Sequence, residues 1–554
     1  MSRNLGNKAN ETPPAAISTA GRDILLKNGW IIDGTGTPGF RGDVRIAGGR
    51  IIDVAAEISA PTAETVDCGG KVIAPGFIDM HSHNDWFLPS ADQEIFTRSF
   101  LAQGITTFVG GNCGFSAASL DPESPHHQTA ADNLFRSAGI TPDWNGLPGY
   151  AVRLNEAGAT HNIALLAGHG TARSNICGFQ SKPLTGDQRR QLLDNLAKTM
   201  DNGAVGVSLG LQYEPGIFAD REELLAVARL VKQRDKILTV HARALSALSG
   251  TYPLKPFGRA HNLLAIEEML SIARETGVRL QFSHLIFVGK KSWSTLDEAL
   301  SLFDGAIADG VDVKFDTFSH HCGASLIHVV LPGWFLAKVP GAYRQPLDRL
   351  RLWAEMQAMS PLLGFGYGDI MLTFADDDAF NAHNGRFVAD IAAARGTSNF
   401  LTFMDITIAS QGLARVLMFR YSTPEIVGEL MRHPASLFMT DAWIEPRGIQ
   451  NPAAVGAFPR FLQRVREGKL ISLEAAIHKM TGAAAERFNL SGRGVLKRGN
   501  AADIVVFDAD AVADRTEVTA TDRSPTGIDH VFVNGVLMKG NLKVPNRRPG
   551  SLLA

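Results

Sequence analysis

Short apolar runs alternate with amphipathic segments along most of the chain. Runs such as VIAPGFIDM, GITTFVGG, ILTVH and RLQFSH are rich in branched and aromatic residues and are bounded by Gly or polar residues, as buried parallel strands are. The segments between them, such as DREELLAVARLVKQRD and AIEEMLSIARETG, have apolar residues at helical spacing and acidic first turns. About eight such alternations predict an α/β fold, a TIM-like (β/α)8 barrel whose chemistry lies at the carboxyl ends of its strands.

Both ends of the chain have a different pattern. ILLKNGWIIDG and GDVRIAGGRIIDVA near the start, and ADIVVFDAD and GIDHVFVNGVLMKG near the end, are strand pairs with Gly-rich turns. Neither set can bury itself alone, so we expect a small β-sandwich domain from residues 22–75 plus 486–554, beside a barrel at 76–485. Residues 1–21 are rich in Asn, Pro, Ser and Thr and lack the apolar core of a secretory signal, which predicts a mobile tail.

A long insertion is expected after the seventh barrel strand. That strand, DVKFD, ends near Asp316, whereas the eighth, LFMTD, begins near Leu437. Such excess length in a compact domain is usually functional, so we expect a lid over the substrate at about 318–432. The apolar segment IHVVLPGWFLAKVPG is interrupted by Pro and Gly and is expected to line a pocket or pack under the lid. A peripheral membrane contact is the lesser alternative.

Composition narrows the class of partner. The chain has 45% hydrophobic and 20% charged residues and a net charge of -2, which gives no indication of nucleic acid binding. No apolar stretch approaches the roughly 20 residues of a membrane span. Four cysteines in 554 residues do not make a disulfide framework, so a cytoplasmic setting is the default expectation. The expected partner is therefore a small-molecule substrate.

Ligand-type side chains end several of the predicted strands. His81 and His83 follow the first run and project to one side of it, because successive side chains in a strand alternate faces. Other runs end at Cys113, His241, His284 and Asp441. A barrel brings the ends of its strands to one mouth, so these six side chains are candidates for a shared metal site.

Ordered motifs carry a family resemblance. APGFIDMHSHND, GITTFVGGNCGFSAA, GHGTAR, GAVGVSLGLQYEPG and GIDHVFVNG, over residues 22 to 554, together resemble the amidohydrolase superfamily and specifically its N-acyl-D-amino-acid deacylases, or D-aminoacylases. The resemblance implies that His81 and His83 bind one zinc and that His241 and His284 bind another. The superfamily's bridging lysine is absent from AVGVSLG, and Cys113 matches the cysteine that replaces it. One zinc is tight and the other weak in that branch, so one or two ions are expected. Assembly into a homo-oligomer is common among such proteins.

The predicted reaction is hydrolysis of a linear amide. Zinc lowers the pKa of a bound water to about 7, and a nearby carboxylate can move a proton from that water to the leaving amine. Asp441, which matches the family's catalytic aspartate, is predicted to be that carboxylate. Three alternatives stay open: hydrolysis of a cyclic amide, lactone or carbamate; a metal-assisted lyase or decarboxylase; and a non-catalytic relative.

Substrate-binding residues are harder to identify. His169 of GHGTAR could touch substrate, and Tyr213 of LQYEPG could donate to the scissile carbonyl, with structural and packing roles as equal alternatives. One of His320 and His321, here taken as His321, could reach the pocket. The pair His126–His127 is expected at the surface, and the run 376–378 as a solvated loop or helix cap.

Three positions depart from the family pattern. Ile286 stands where a substrate-binding lysine is common, FDTFSHH has no tyrosine, and HARAL lacks an acidic residue. Lysine provides a cation for a substrate carboxylate, so its loss predicts a more apolar or aromatic acyl substrate. The cations that could compensate are Lys290, Lys291, Arg243 and Arg173.

Overall fold

The computed structural model describes residues 22–90, 93–128, 130–131, 140–253, 258–540 and 548–553. The predicted tail at 1–21 lies outside the described residues.

Eight parallel strands form the central barrel. Each strand pairs with the next in sequence order, and a parallel bridge between Ser82 and Ala442 joins the last strand to the first. This arrangement confirms the predicted (β/α)8 barrel. In order, the eight barrel strands are Phe77–Asp79, Ile105–Gly110, Asn162–Gly168, Gly206–Gly210, Ile237–His241, Arg279–Phe282, Val313–Thr317 and Ser436–Phe438.

Amphipathic helices follow the strands and pack on the outside of the barrel. In Arg221–Gln233, for example, Leu224, Val227, Ala228 and Val231 are buried at helical spacing, and the Asp220 side chain caps the first turn by accepting a bond from the Glu223 amide. The helices outside the insertion are Glu94–Ala102, Gly146–Ala157, His169–Cys177, Gly186–Asp201, Arg221–Gln233, His261–Thr276, Lys290–Trp293, Leu296–Ala308, Pro424–Arg432, Ala453–Gly468, Leu473–Met480 and Gly482–Arg487.

A second sheet draws on both ends of the chain. Antiparallel pairing between Val72–Pro75 and Ile504–Phe507 joins the two ends. Each of its eight strands contributes to one hydrophobic core, so the sheet folds around that core in the manner of a sandwich. Its strands are Ile24–Ile31, Phe40–Ala47, Arg50–Ala55, Glu64–Asp67, Val72–Pro75, Ile504–Phe507, Ile528–Val533 and Val536–Lys539. The last strand of the chain, Leu552–Leu553, pairs instead with the third barrel strand, which corrects its placement in the sandwich.

The insertion after the seventh barrel strand has a sheet of its own. Four antiparallel strands lie in the order Gly323–Leu326, Arg415–Met418, Ile370–Phe374 and Arg386–Phe387. The sequence predicts an insertion with helices but does not predict this sheet, because its strands are short and pair across long loops. The helices of the insertion are Gly333–Leu336, Pro346–Leu363, Asp378–Asn381, Val388–Arg395 and Asn399–Ala409. None of the described helices is both long and apolar enough to span a bilayer.

Candidate metal centre

The six predicted ligand residues meet at the carboxyl ends of the barrel strands. His81 and His83 follow the first strand, and Cys113 follows the second. His241 ends the fifth strand, His284 follows the sixth, and Asp441 follows the eighth. All six are at most 8% exposed. So many buried polar groups at one point require a shared partner, since an unpaired buried charge is costly.

The six residues form two groups that share Cys113. The ligand atoms of His81, His83, Cys113 and Asp441 lie within 4.8 Å of one another, and so do those of Cys113, His241 and His284. The Cys113 Sγ atom lies 3.3 Å from Nε2 of His81 and 3.4 Å from Nε2 of His284. Cys113 is therefore placed to bridge two ions or to complete a site for one.

Three of the six residues have an unusual backbone. Cys113, His284 and Asp441 have φ angles of 53°, 35° and 48°, in the left-handed region that few non-glycine residues adopt. Such strain is typical of functional sites, where the fold holds a side chain in a required direction. Gly114 makes the turn at Cys113 feasible, because a Cβ there would lie 2.8 Å from the Gly210 amide nitrogen.

Two buried carboxylates support the cluster from below. Asp316 accepts a hydrogen bond from the His284 amide at 2.6 Å, and its Oδ1 atom lies 3.6 Å from Nδ1 of His81. Asp79 accepts from the Thr440 hydroxyl at 2.6 Å and from the His81 amide at 3.3 Å. Burial raises the pKa of Asp79 to about 7, although the bonds from Thr440 oppose the rise. These contacts fix the ends of the first, sixth, seventh and eighth strands relative to one another.

The electrostatics of the cluster favour neutral imidazoles at His83, His241 and His284, whereas the pKa of His81, which burial acts to lower, is held well above its ordinary value by the charge of Asp441. Burial lowers the pKa of His284 to about 4 and holds that of His241 well below its ordinary value. Burial also acts to raise the pKa of Asp441, but the charge and hydrogen bond of His81 outweigh it and hold that pKa well below its usual range. Neutral imidazole and ionised carboxylate are the forms that bind metal.

The donor set fits a metal ion of borderline softness. The ring nitrogens that face the cluster are Nε2 of His81, His83 and His284, each within 3.4 Å of the Cys113 thiol or the Asp441 carboxylate. Imidazole, thiolate and carboxylate together suit zinc better than the hard ions magnesium or calcium, which prefer all-oxygen sites. Burial raises the pKa of the Cys113 thiol to about 11, and a bound cation would reverse that shift by favouring the thiolate.

A mainly apolar cavity of about 450 Å³ begins beside the His–Cys–Asp cluster. Its inner end includes His241, whose Nε2 atom lies 3.1 Å from Oε1 of Gln212, a residue that also lines the cavity. The segment 327–341 contributes to the wall, as predicted, through Val329, Val330, Leu331, Pro332 and Trp334. Most of the other lining residues are apolar, and they include Ile217, Leu245, Leu248, Val288, Leu352, Met356, Met359, Leu363, Phe365, Ile370 and Met418.

Tyr213 lines this cavity beside the cluster. Its ring packs 4.5 Å from the His241 ring between centroids, and its hydroxyl lies 3.5 Å from Oγ of Ser325. Among the described lining residues the one Lys or Arg is Arg351, whose guanidinium binds Glu355 at 2.8 Å and stacks on Trp334. The cavity wall therefore provides a hydroxyl near the centre but no cation free of a counter-ion.

Other predicted substrate residues are engaged elsewhere. His169 is fully buried, and its Nε2 atom lies 2.8 Å from Oε1 of Glu223, which also accepts a bond from Arg173 at 3.1 Å. Arg243 binds Glu268 at 3.1 Å and donates to the Ile217 carbonyl at 2.8 Å. These contacts correspond to the structural alternative for His169 and correct the prediction that Arg243 is free to bind a substrate.

Four further residues predicted to contact substrate lie outside the cavity, which corrects those predictions. Lys290 and its neighbour Lys291 are exposed in a short helix, and Ile286 is buried in the protein core, so none of them lines the cavity. His321 lies at a separate surface pocket, 3.0 Å from Oγ of Ser422 and 2.9 Å from the Arg464 guanidinium. The reason is that the chain turns away from the barrel mouth after the seventh strand to enter the inserted sheet.

The remaining candidates lie outside the cluster. His126 and His127 are half-buried and are not part of either ligand group. His320 contacts Asp514 at 3.1 Å. Asp377 caps the helix Asp378–Asn381 by accepting a bond from the Ala379 amide, which agrees with the helix-cap alternative.

Sequence reasoning missed a buried aromatic group beside His83. The rings of Trp86 and Trp443 lie 4.9 and 5.8 Å from the His83 ring, and the Arg415 guanidinium lies within 5.5 Å of both indole centroids. Arg415 is in the inserted sheet and lies 3.8 Å from Glu445. Its local sequence, RVLM, gives no indication that Arg415 lies beside Trp86 and Trp443. Asp316 could have been found as an acid at a strand end.

Comparison with known proteins places these features in a family. Models described as "Amidohydrolase family" match residues 72–309 and 374–538. An N-acyl-D-glutamate deacylase of Alcaligenes xylosoxydans xylosoxydans is 32% identical over 96% of both chains. A D-aminoacylase of the same organism is 30% identical over 96% of this chain and 97% of that protein.

Two solved structures of deacylases have the same fold as this chain. The N-acyl-D-glutamate deacylase of Bordetella bronchiseptica, complexed with zinc and a phosphonate inhibitor that mimics the tetrahedral intermediate, superimposes with a TM-score of 0.79. It is 29% identical, and the match covers 96% of this chain and 99% of that one. A D-aminoacylase studied for its binuclear metal centre superimposes with a TM-score of 0.76 at 27% identity, with the same coverage.

Proposed function

This chain belongs to the amidohydrolase family, among the N-acyl-D-amino-acid deacylases, and we propose that it uses zinc to hydrolyse the linear amide bond of an N-acyl compound. It is a metal-dependent amidohydrolase that acts on C–N bonds other than peptide bonds. The observation that carries the proposal is the buried His–Cys–Asp cluster at the inner end of an apolar cavity.

The proposed ligands fall into two sets that share Cys113. His81, His83, Cys113 and Asp441 would hold one zinc ion, and Cys113, His241 and His284 would hold a second where two are bound. When bound, zinc lowers the pKa of a coordinated water and polarises the substrate carbonyl. Zinc in the deacylase from Bordetella bronchiseptica supports this assignment of the metal.

Asp441 is the proposed general base and acid. Its Oδ1 atom lies 3.1 Å from Nε2 of His81 and 3.3 Å from Nε2 of His83, and its low pKa keeps it ionised at neutral pH. An ionised carboxylate can accept a proton from the attacking water at one oxygen. It can then return that proton to the leaving nitrogen, which makes the amine a better leaving group.

Tyr213 is the proposed hydrogen-bond donor to the carbonyl oxygen. Burial raises the pKa of its hydroxyl well above the ordinary value, so the group stays protonated and can donate. A donor aimed at an oxygen that gains negative charge stabilises the transition state more than the ground state. The packing of its ring on His241 supports this role, since it holds the side chain at the inner end of the cavity.

The proposed substrate has an apolar or aromatic N-acyl portion. The related deacylases are named for acidic D-amino acids, whose carboxylates require cationic partners. In this chain, position 286 is isoleucine, Arg243 and Arg173 are paired inside the protein, and Arg351 is paired with Glu355. Apolar walls stabilise an apolar group by removing it from water, so they favour substrates with larger acyl groups.

The test is amine release by the zinc-loaded protein. Three sets of substrate would be compared: N-acyl-D-amino acids, their L-enantiomers, and aromatic N-acyl amides that lack the carboxylate, each with acyl groups of increasing length. We expect amine release, with kcat/KM rising about fourfold per added methylene until the cavity is filled. A strong preference for small charged N-acetyl amino acids would contradict the proposed substrate class. Release of carbon dioxide without amine would contradict amide hydrolysis itself.

A further inference from the structure

The inserted helix Pro346–Leu363 has two apolar faces. One face lines the cavity through Leu352, Met356, Met359 and Leu363. The other face consists of Leu347, Leu350 and Trp353, spaced three residues apart, whose side chains are 45% to 80% exposed. A helix at the surface of a soluble protein normally has one apolar face, directed to the core. The second face of this helix therefore requires a partner; we call these three residues the outer face.

The exposure is concentrated on this one helix. Twelve large apolar side chains are exposed among the described residues; four of them lie on this helix, and three of these form the outer face. The others are dispersed over several elements, such as Val152 on the helix Gly146–Ala157. Single exposed apolar residues are ordinary, whereas a contiguous group marks a binding surface.

Charge around the outer face identifies the kind of partner. Residues 336–363 contain four cations and two anions, a net charge of +2, whereas the whole chain has a net charge of -2. The two anions pair with Lys338 and Arg351, so the net positive charge comes from Arg344 and Arg349. Exposed Lys290 adds to them, since it lies beside Gly364 at the end of the helix. Leu and Trp side chains bordered by cations suit the interface of an anionic lipid layer.

The cavity opens beside the same surface. Arg351 lines the cavity, yet its side chain is 58% exposed, so the cavity reaches solvent next to Leu350 of the outer face. We infer that the outer face docks this protein on an anionic lipid surface, with the mouth of the apolar cavity directed toward that surface. Delivery of a lipophilic N-acyl substrate from the lipid rests on the proposed function, whereas the docking itself does not.

A second copy of the chain is the less suitable occupant. A stable dimer buries about 800 Å² and about 20 residues or more on each partner. The outer face offers three large side chains on a single helix, bordered by like charges that would repel a symmetric copy. A lipid surface needs neither a large area nor shape complementarity, and anionic headgroups match the charge.

Vesicle flotation tests this inference with the zinc-loaded full chain. The vesicles contain phosphatidylcholine, either alone or in equal parts with phosphatidylglycerol. We expect binding to the anionic vesicles, weak binding to the neutral ones, and release at about 1 M salt, where charges are screened. The double variant Leu350→Glu/Trp353→Glu should bind at least about tenfold less, and Arg344→Gln about fivefold less.

The control is Val152→Glu, which places the same charge at an exposed apolar site outside the outer face. It should bind vesicles as the unaltered protein does. Matched thermal midpoints for all variants would show that each one is folded, and flotation requires no activity, so failure here is separate from failure of the proposed reaction. Absence of vesicle binding by the unaltered protein would overturn the inference. An equal loss of vesicle binding in Val152→Glu would also overturn it. A dimer in solution that dissociates in Leu350→Glu/Trp353→Glu would overturn it as well.

Discussion

The Sγ atom of Cys113 lies 3.4 Å from Nε2 of His284, although these residues follow the second and sixth strands of an eight-stranded barrel. Both residues have positive φ angles, which direct their side chains across the mouth of the barrel. The contact brings the two groups of ligand-type residues into one centre. It is the geometric basis for the role that we propose for Cys113, a thiolate shared between two zinc ions.

Replacing Cys113 with serine should therefore affect both metal positions. Serine has a much weaker affinity for zinc than thiolate, so Cys113→Ser should lower the zinc content and reduce kcat/KM by at least about 100-fold. Metal analysis and amine release measure the two effects. Cys68→Ser is the matched control, because Cys68 is buried in the core of the sheet formed by both chain ends. This variant should have the same zinc content as the unaltered protein. Full zinc content in Cys113→Ser would contradict a shared ligand.

Asp441→Asn separates proton transfer from metal binding. The amide keeps the shape of the carboxylate but cannot accept the proton, so kcat should fall by about 1,000-fold or more. Zinc should stay bound through the remaining His and Cys ligands. Asp378→Asn, at an exposed position on an inserted helix, is the control and should have a normal rate. A near-normal rate in Asp441→Asn would show that another group moves the proton.

The sequence predicted the convergence of the ligand-type residues better than it predicted the lining of the substrate pocket, and the reason is geometric. His241 ends a recognisable strand, and His81, Cys113 and Asp441 each follow one within three residues, so the barrel alone brings them together. The cavity depends on the insertion, where strands such as Arg415–Met418 pair over long sequence separations. No local pattern indicates that Lys290 is directed to solvent or that His321 turns away from the mouth.

The pair Arg415 and Glu445 shows how far the insertion extends toward the centre. Both are buried beside Trp443, 3.8 Å apart, and Trp443 donates a hydrogen bond to Glu445. Removing the cation with Arg415→Met would leave Glu445 buried without its counter-ion, and should lower the free energy of unfolding by about 3–5 kcal/mol. Adding Glu445→Gln should recover at least half of that loss.

Urea unfolding of the two variants tests this pair. Arg395→Met is the control, because Arg395 stacks on Phe380 at an exposed position and should contribute less than about 1 kcal/mol. If the double variant were as unstable as Arg415→Met, the loss would come from packing on Trp86 and Trp443 and not from the unpaired charge.

Glu214 should make stability depend on pH. Burial raises the pKa of its carboxyl to about 7, above the value of about 4.3 in an unfolded chain. Between these values the folded state binds more protons than the unfolded state, so the free energy of unfolding falls as pH rises. Glu214→Gln cannot ionise, so its free energy of unfolding should not fall in this way as pH rises. The variant should match the unaltered protein below about pH 4.5 and exceed it by about 1–2 kcal/mol at about pH 8, less than the full shift implies because Glu214 is partly exposed.

Urea unfolding at these two pH values measures the difference. Glu222→Gln, an exposed glutamate in a neighbouring helix, is the control and should have little effect at either pH. An equal gain for Glu214→Gln at both pH values would mean that the substitution improves packing and does not act through ionisation.

The most direct test of the central claim is the dependence of amine release on zinc. Protein stripped with a chelator and dialysed should release no amine from an apolar N-acyl compound, and activity should return as one zinc ion, or two, is restored per chain. Metal analysis and amine release would be followed on the same samples. The account predicts that the two rise together. Unchanged amine release from the stripped protein would contradict it, because the His–Cys–Asp cluster could then not be the reaction centre.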